Sequence, residues 1–273
     1  RVPAGDFSAK IMVKVGQLNS KDFPANKKYA IPLSITGASN YSLIPSQRSA
    51  ILLLNRSILS SVAKVSGGEG IRIKPVGMHT KAEWTIQMSA IYSSLTRSNL
   101  TTAYLSNGTG GEFYTRISST AGIQVKNGRD GDDTWTQIPL QAGKWLHITY
   151  VHKDKKTTVY VNGKVQKVFE NSAITFGENS MIVVGNSGYR NDYLREIRLW
   201  DKALTESEIN DYLYLPMDPA TPHLISYLPL SKEMETKDLK APAGTENVTT
   251  KARIEYVENV KFPADELVIV NQE

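Results

Sequence analysis

Carboxylates are the side chains of this sequence that could hydrolyse a glycosidic bond. That reaction needs two carboxyl groups roughly 5 to 9 Å apart, on opposite sides of the bond. On a β-strand, residues i, i+2 and i+4 share a face, so an acid pair on one strand shows as alternating Asp or Glu. Glu196 lies in a strand-like segment, but its alternate neighbours are Leu194 and Arg198. The sequence therefore predicts that Glu196 is a charge-paired surface residue and that the protein is not an enzyme.

Histidine, cysteine and serine chemistry has little support in the sequence. There is no cysteine, so no disulfide or thiolate ligand can form. His147 and His152 are five residues apart, which places them on opposite faces of a strand, and no H-E-x-x-H zinc motif occurs. The sequence also has no G-x-S-x-G elbow, P-loop or dinucleotide fingerprint.

One acidic loop has the composition of a calcium site. Residues 127–133 read N-G-R-D-G-D-D, and Asp130, Asp132 and Asp133 could supply oxygen ligands. The loop departs from an EF-hand because no bidentate Glu closes it. Calcium is therefore the only cofactor that the sequence suggests. The alternative is that these residues form a solvated hairpin loop that binds no metal.

Two loops combine aromatic rings with polar groups, the mixture that recognises sugars. An aromatic ring stacks on the apolar face of a pyranose, while amides, guanidinium groups and carboxylates bind its hydroxyl groups. The predicted ligand-binding residues are Tyr189, Arg190, Asn191, Asp192, Tyr193 and Trp135. Tyr104 and Tyr114 could extend a shallow face. The alternative is that these aromatic residues belong to the ordinary surface and core of a sandwich.

The elements that must position these residues are predicted mainly as strands and turns. Residues 145–151 and 157–161 are typical strands, and Asn162-Gly163 favours a type I′ hairpin before a return strand at 164–168. A strand over 193–200 leads into the only convincing helix, predicted over Thr205–Tyr214. Thr205 and Glu208 have the spacing of a capping box.

Composition excludes several classes of protein. The chain has 273 residues, is 40% hydrophobic, and has no apolar run near the ~20 residues of a membrane helix. The net charge is +5, divided into +12 over residues 1–200 and −7 over residues 201–273. Because the acidic segment must pack against the basic body, we expect ordinary mixed surface charge and no nucleic-acid partner.

Two sequence blocks resemble a known family. The W-x-H-I…Y-V-N-G block at 145–163 and Y-L-R-E-I-R-L-W-D-K-A-L-T-E-S-E-I at 193–209 resemble the laminin-G-like, concanavalin A-like lectin/glucanase domains. The resemblance extends over residues 57–262 and implies a jelly-roll β-sandwich with one short helix. It also implies packing roles for Trp84, Trp145 and Trp200 and a structural hydrogen bond for His147.

The N-terminal segment resembles the second half of a small β-sandwich module. Strands are predicted at 2–15, 28–35 and 49–54, and they resemble the DUF1735-like module of Bacteroidetes surface lipoproteins. The predicted fold class is all-β, with a partial immunoglobulin-like sandwich at 1–56 followed by the laminin-G-like jelly roll at 57–273. This resemblance implies that the protein is located at the extracellular face of the outer membrane. A lipid-bearing cysteine upstream of this sequence would anchor it there.

The predicted function is non-catalytic carbohydrate binding in a glycan-acquisition system at the cell surface. Its partners would be a glycan and other outer-surface proteins, and its only membrane contact would be the upstream lipid anchor. A protein-interaction or adhesion module is the alternative, because laminin-G-like domains also bind proteins. These expectations follow from the resemblance, since a fold alone does not determine function.

Overall fold

The computed structural model describes residues 12–16, 21–23, 29–37, 42–54, 57–76, 81–95, 101–104, 113–126, 131–170, 174–177, 180–185 and 189–271. The chain divides into two compact units, residues 1–56 and residues 57–273. Each unit has its own β-sheets. No helix among the described residues is long and apolar enough to cross a membrane.

The smaller unit contains an antiparallel pair of strands, β1 (Tyr29–Ser34) and β2 (Ser49–Leu54), with a 3₁₀ turn at Pro45–Gln47. Both strands were expected from their sequence. Of the predicted strand at 2–15, residues 12–15 are described and are not part of a sheet, and the rest lies outside the described residues. The relation of this unit to the DUF1735-like module stays a prediction.

The larger unit is built from two antiparallel sheets. One has eight strands in the order β11-β10-β9-β5-β13-β3-β16, with β14 paired to β13, and the other has the order β15-β4-β12-β6-β7-β8. The strands are β3 (Ile58–Gly67), β4 (Ile71–Ile73), β5 (Trp84–Ile91), β6 (Thr101–Tyr104), β7 (Phe113–Ser118), β8 (Gly122–Lys126), β9 (Trp145–Lys153), β10 (Lys156–Val161), β11 (Lys164–Glu170), β12 (Met181–Val184), β13 (Tyr189–Trp200), β14 (Leu224–Leu228), β15 (Val248–Thr249) and β16 (Arg253–Phe262). The predicted all-β jelly-roll fold is confirmed.

The main hydrophobic core lies between these two sheets. Ile86 from the eight-stranded sheet and Phe113 from the six-stranded sheet belong to one buried cluster. Trp84 has no exposed surface, and its indole N–H donates to the Ile174 carbonyl at 2.9 Å. Trp145 and Trp200 are also buried, at 2% and 5% exposure. The packing role predicted for the three tryptophans is therefore confirmed.

The Asn162-Gly163 turn connects β10 to β11, as predicted from the dipeptide. Both residues have left-handed backbones, with φ of 51° and 75°. Asn and Gly tolerate this conformation better than other residues. The Asn162 side chain also accepts a hydrogen bond from the His147 N–H at 2.8 Å, so the turn is fixed to β9.

The helix α1 (Glu206–Asp211) begins as predicted but ends earlier. Thr205 and Glu208 form the reciprocal hydrogen bonds of a capping box. The backbone leaves helical geometry at Tyr212, whereas the sequence predicted helix to Tyr214. The next residues form a turn and bends, and Arg195 and Arg198 bind the carbonyls of residues 212, 214 and 215.

Strand β13 changes its neighbour at Glu196. Up to Leu194 it pairs with β3, and from Ile197 it pairs with β14 on the same edge. Glu196 lies between these segments with a left-handed φ of 55°, and its N–H donates to the Pro229 carbonyl at 3.2 Å. A bulge of this kind bends a strand and interrupts its pairing. As a result, β3 and β14 diverge and leave a cleft between them.

Candidate functional site

The outer face of the six-stranded sheet, which points away from the core, carries a row of residues aligned across the strands. Arg72 pairs with Val183, Val183 with Thr102, Thr102 with Tyr114, and Tyr114 with Lys126. On β4, β7, β8 and β12 the hydrophobic residues beside them belong to the buried core, since the sides of a strand alternate. We call this surface the outer face.

Tyr114 is the aromatic centre of the outer face. Phe113 and Ile117 of β7 point into the core, so Tyr114 and Arg116 point outward and are half-buried. The Arg116 guanidinium lies 5.7 Å from the centre of the Tyr114 ring, and the Lys126 ammonium lies 5.5 Å from it. Such cation–π contacts hold an aromatic ring in place.

Trp135, one of the predicted ligand residues, lies beside the outer face. It forms a β-bridge with Gln124 of β8, and bridge partners present their side chains to the same side of a sheet. Lys167 of β11 donates to the carbonyls of Asp133 and Trp135 at 2.8 and 2.7 Å. Gln124 donates to the Thr134 hydroxyl at 2.8 Å. The Trp135 segment is therefore fixed to both sheets.

Within the described part of the outer face, two polar atoms are buried without a hydrogen-bond partner. They are Arg116 Nε and Gln124 Oε1, and their residues face each other across β7 and β8. Gln124 is 3% exposed. An unpaired buried polar atom costs free energy, so such atoms mark a place where a ligand hydroxyl or water would be stabilised.

The predicted ligand loop at 189–193 lies in a different part of the fold. Asn191 is exposed, Tyr193 is half-buried, and the side chains of Tyr189 and Arg190 lie outside the described residues. Asp192 has no exposed surface, and its carboxylate accepts hydrogen bonds from the Ser93 N–H and hydroxyl at 2.9 and 3.1 Å. This buried position differs from the predicted ligand contact of Asp192.

Trp135 and Tyr193 do not belong to one site. The Trp135 segment is held by β11, and Tyr193 lies on β13, with β10, β9 and β5 between them. Four strand spacings amount to roughly 19 Å. The two predicted ligand loops must therefore be considered as separate sites.

The acidic loop is described only in part. Asp130 lies outside the described residues, as does the side chain of Asp132, whose backbone belongs to a 3₁₀ turn, Asp132–Thr134. Asp133 is exposed. Among the side chains that the structure describes, no three His, Asp or Glu residues are grouped to hold a metal ion. Calcium at Asp130, Asp132 and Asp133 stays a prediction.

The cleft between β3 and β14 is lined by three carboxylates. Its volume is about 480 Å³, and its walls include Glu196, Glu233 and Glu258. Glu196 comes from β13, Glu233 from the segment after β14, and Glu258 from β16. Because these residues are far apart in the chain, a motif search along single strands could not have found them.

Glu196 is a buried ion-pair partner, which corrects the surface position predicted for it. It is 3% exposed and pairs with Arg195 at 3.4 Å and with Arg198. The Tyr227 hydroxyl donates to it at 3.0 Å. The prediction failed because the bulge interrupts strand alternation, so consecutive charged residues all turn into the fold. The predicted charge pairing itself is present.

The other two carboxylates of the cleft are also engaged. Hydrogen bonds to a backbone N–H and to the Ser231 hydroxyl lower the pKa of Glu233. The Ser61 hydroxyl contacts Glu233 as well, at 3.4 Å. Glu258 forms an ion pair with Lys232. The contacts of Glu233 favour its ionised form.

Both histidines of β9 have structural hydrogen bonds. His147 Nδ1 lies 2.6 Å from the Ser89 hydroxyl, which agrees with the role implied by the resemblance. His152 stacks on Trp84, and its ring nitrogens contact the Thr157 hydroxyl at 3.0 Å and accept from the Ile174 N–H at 3.2 Å. Burial lowers the pKa of His152 to about 4. Both rings are therefore neutral parts of the fold near pH 7.

The family of the larger unit follows from the sequence between β3 and α1. The family model of the concanavalin A-like lectin/glucanases superfamily matches residues 66–210, more than half of the chain. The chain belongs to this superfamily. The matched region includes strands β7 and β8 of the outer face and Trp135 beside it.

Solved structures with the same fold are distant in sequence. A candidate carbohydrate-binding protein from Bacteroides ovatus is 17% identical, with a TM-score of 0.58 over 90% of this chain and 72% of that one. A pentraxin from Limulus polyphemus is 13% identical, with a TM-score of 0.48 over 73% of this chain and 94% of that one. Domain 4 of a GH43 arabinanase from Geobacillus stearothermophilus, in complex with arabinotriose, is 15% identical, with a TM-score of 0.44 over 67% and 86%.

Only the first of these similarities reaches a TM-score above one half, and it shows the superfamily fold alone. No curated protein matches the chain.

Proposed function

We propose that the protein is a non-catalytic carbohydrate-binding protein and that the outer face is its glycan-binding surface. The observation that carries this proposal is the group of Tyr114, Arg116, Gln124, Lys126 and Trp135 on one side of the six-stranded sheet. The superfamily fold and the carbohydrate-binding description of the Bacteroides ovatus protein support the same class of function.

The chemistry of these side chains matches a sugar. A pyranose has apolar ring faces, which an aromatic side chain covers, and a rim of hydroxyl groups that both donate and accept hydrogen bonds. Tyr114 and Trp135 supply aromatic surface. Arg116 and Gln124 supply an unpaired donor and an unpaired acceptor. Such mixed surfaces on a rigid scaffold are typical of binding sites.

The state of the cleft carboxylates supports the non-catalytic part of the proposal. Hydrolysis requires one carboxyl group whose pKa is raised, so that it is protonated and can donate to the leaving oxygen. Glu196 lies between two guanidinium groups, and the pKa of Glu233 is lowered. The lowered pKa of Glu233 does not favour a general acid, and the Glu196 carboxylate is already engaged by two arginines.

The cellular setting of this proposal follows from the sequence resemblance. We propose that the protein works at the outer surface of a Bacteroidetes-type cell, within a glycan-acquisition system, and is held there by an upstream lipid. Radiolabelled palmitate incorporation into the full gene product, together with protease accessibility on intact cells, would test this setting. An unlabelled, protease-protected product would contradict it.

A protein-interaction role is the second candidate, and an exposed apolar strand favours it. Ile51 and Leu53 of β2 are 69% and 77% exposed. An unpaired strand edge with apolar side chains can accept a strand from a partner. Capture of an outer-surface protein that is lost in Leu53→Lys and unaffected by free glycans would support this role.

A glycan array tests the carbohydrate proposal directly. The purified chain is applied once with calcium and once with a chelator. Binding to one class of glycan supports the proposal, and dependence on calcium would implicate the Asp130–Asp133 loop. Absence of binding in both conditions contradicts it and favours the protein-interaction role.

A further inference from the structure

Arg116 has an environment that distinguishes it from the other arginines of the larger unit whose partners are described. Arg72 pairs with Glu69, Arg195 and Arg198 with Glu196, and Arg253 with Glu255. Within the part of the chain that the structure describes, the Arg116 guanidinium contacts the Tyr114 ring but forms no ion pair or hydrogen bond.

Among the described residues, the two strands that carry Arg116 and its cross-strand partner Gln124 do not supply a negative charge. Strands β7 and β8 read F-Y-T-R-I-S and G-I-Q-V-K, without an Asp or Glu. The Lys126 ammonium also contacts the Tyr114 ring, from the neighbouring strand β8. A half-buried guanidinium without a carboxylate partner is stabilised by an anion more strongly than an exposed one, because water screens it less.

The Gln124 side chain adds a second requirement, which is that the ligand donates a hydrogen bond to its Oε1 atom. Its side chain is 97% buried, its amide group donates to Thr134, and its Oε1 atom has no partner. An anion alone cannot satisfy this acceptor, whereas a hydroxyl group can. Arg116 and Gln124 are directly opposite in the register of β7 and β8. The pair therefore matches a ligand that carries a carboxylate close to a hydroxyl group.

We propose that the outer face selects acidic glycans, with Arg116 binding the carboxylate of a uronic acid and Gln124 accepting a hydrogen bond from a neighbouring ring hydroxyl. This inference rests on the proposed function, since it names the class of glycan for the same surface. Arginine suits the task because its planar guanidinium binds a carboxylate through two parallel hydrogen bonds.

Calorimetric titration with matched oligosaccharides tests this selection. The probes are oligomers of galacturonate, guluronate and glucuronate, the methyl-esterified galacturonate oligomer, and a κ-carrageenan oligomer that carries sulfate and no carboxylate. We expect at least one uronate to bind, and its affinity to fall about tenfold or more on esterification, as for the loss of a charge-assisted hydrogen bond. Equal binding of the ester overturns the charge requirement, and equal or tighter binding of the carrageenan overturns the carboxylate assignment.

Variants distinguish the contribution of Arg116 to uronate affinity from that of the protein's general positive charge. Arg116→Gln should lower uronate affinity about tenfold or more, and Arg116→Lys should restore only part of it, because a point charge lacks the guanidinium geometry. Arg253→Gln, on the other sheet, is the matched control and should leave affinity unchanged. An unchanged affinity in Arg116→Gln overturns the proposal.

The outcomes also separate this inference from the proposed function. If only neutral glycans bind and Tyr114→Ala abolishes that binding, the outer face binds glycans without acid selection, and this inference alone fails. If neither neutral nor acidic glycans bind, both fail.

Discussion

The Tyr227 hydroxyl donates a hydrogen bond to Glu196 at 3.0 Å, at the point where β13 leaves β3 and joins β14. Glu196 also forms ion pairs with Arg195 and Arg198, which in turn bind three carbonyls of the segment after α1. This network stabilises the eight-stranded sheet at the point where the neighbour of β13 changes from β3 to β14. A carboxylate that the sequence presented as a surface group is therefore an internal structural element.

Replacing Glu196 by Gln should destabilise the fold strongly. The change leaves two buried guanidinium groups without a counter-charge, and loss of one partner from a buried pair typically costs about 3–5 kcal/mol of unfolding free energy. Urea unfolding measures this loss. Glu255→Gln removes an exposed partner of Arg253 and should cost less than about 1 kcal/mol. Similar losses in both variants would contradict a structural role for the buried network.

The helix cap should contribute a measurable part of the stability. Thr205 accepts from the Glu208 N–H, and the Glu208 carboxylate accepts from the Thr205 N–H at 2.9 Å. Thr205→Ala should lower the unfolding free energy by about 1 kcal/mol, whereas Thr205→Ser keeps the hydroxyl and should lose much less. Equal losses for Ala and Ser would show that the methyl group, rather than the cap, stabilises this position.

Stability should decrease below about pH 6.5 because of two histidines of β9, the buried His152 and the half-buried His147. Desolvation lowers the pKa values of both, and Arg195 and Arg198 also lower that of His147. The folded-state pKa is about 4 for His152 and about 3 for His147, both below the ordinary value of 6.5. The unfolded chain therefore binds protons first as the pH falls, so the contribution of these neutral rings is complete above pH 6.5 and is lost towards the folded pKa. Each ring lowers the unfolding free energy by about 1.4 kcal/mol per pH unit in this window.

Urea unfolding at pH 7.5, 6 and 5 checks this dependence before most carboxylates titrate. His152→Gln should reduce the slope between pH 6 and pH 5 relative to the unmodified chain. An unchanged slope would show that His152 is not protonated on unfolding in this range.

Lys167 should hold the Trp135 segment in its binding position. Its ammonium group donates to the carbonyls of Asp133 and Trp135. Lys167→Met should increase amide exchange over residues 131–135 and weaken glycan binding severalfold, with little loss of global stability. Lys164→Met, on the same strand and exposed, is the control. Unchanged exchange in Lys167→Met would contradict this positioning role.

Local sequence signals predicted several elements because each depends on neighbouring residues. The Asn162-Gly163 turn follows from the backbone preferences of two residues, and the Thr205–Glu208 cap follows from a spacing of three. The tryptophan core positions followed from the family resemblance and were also confirmed.

Features that depend on strand order could not be predicted in the same way. The outer face joins Tyr114, Gln124 and Trp135 through the pairing of β7, β8 and the segment beyond. The sequence grouped Trp135 with the loop at 189–193, but three strands lie between β11 and β13. Burial of Glu196 depends on a bulge that strand alternation does not reveal.

The most direct test of the outer face is a comparison of two tyrosine variants on one glycan array. Tyr114 lies on the outer face, and Tyr193 lies on β13 beside the other predicted loop. We predict that Tyr114→Ala abolishes the binding of the unmodified chain and that Tyr193→Ala retains it, with both variants folded. Retained binding in Tyr114→Ala, or loss only in Tyr193→Ala, would contradict the assignment of the outer face as the glycan-binding surface.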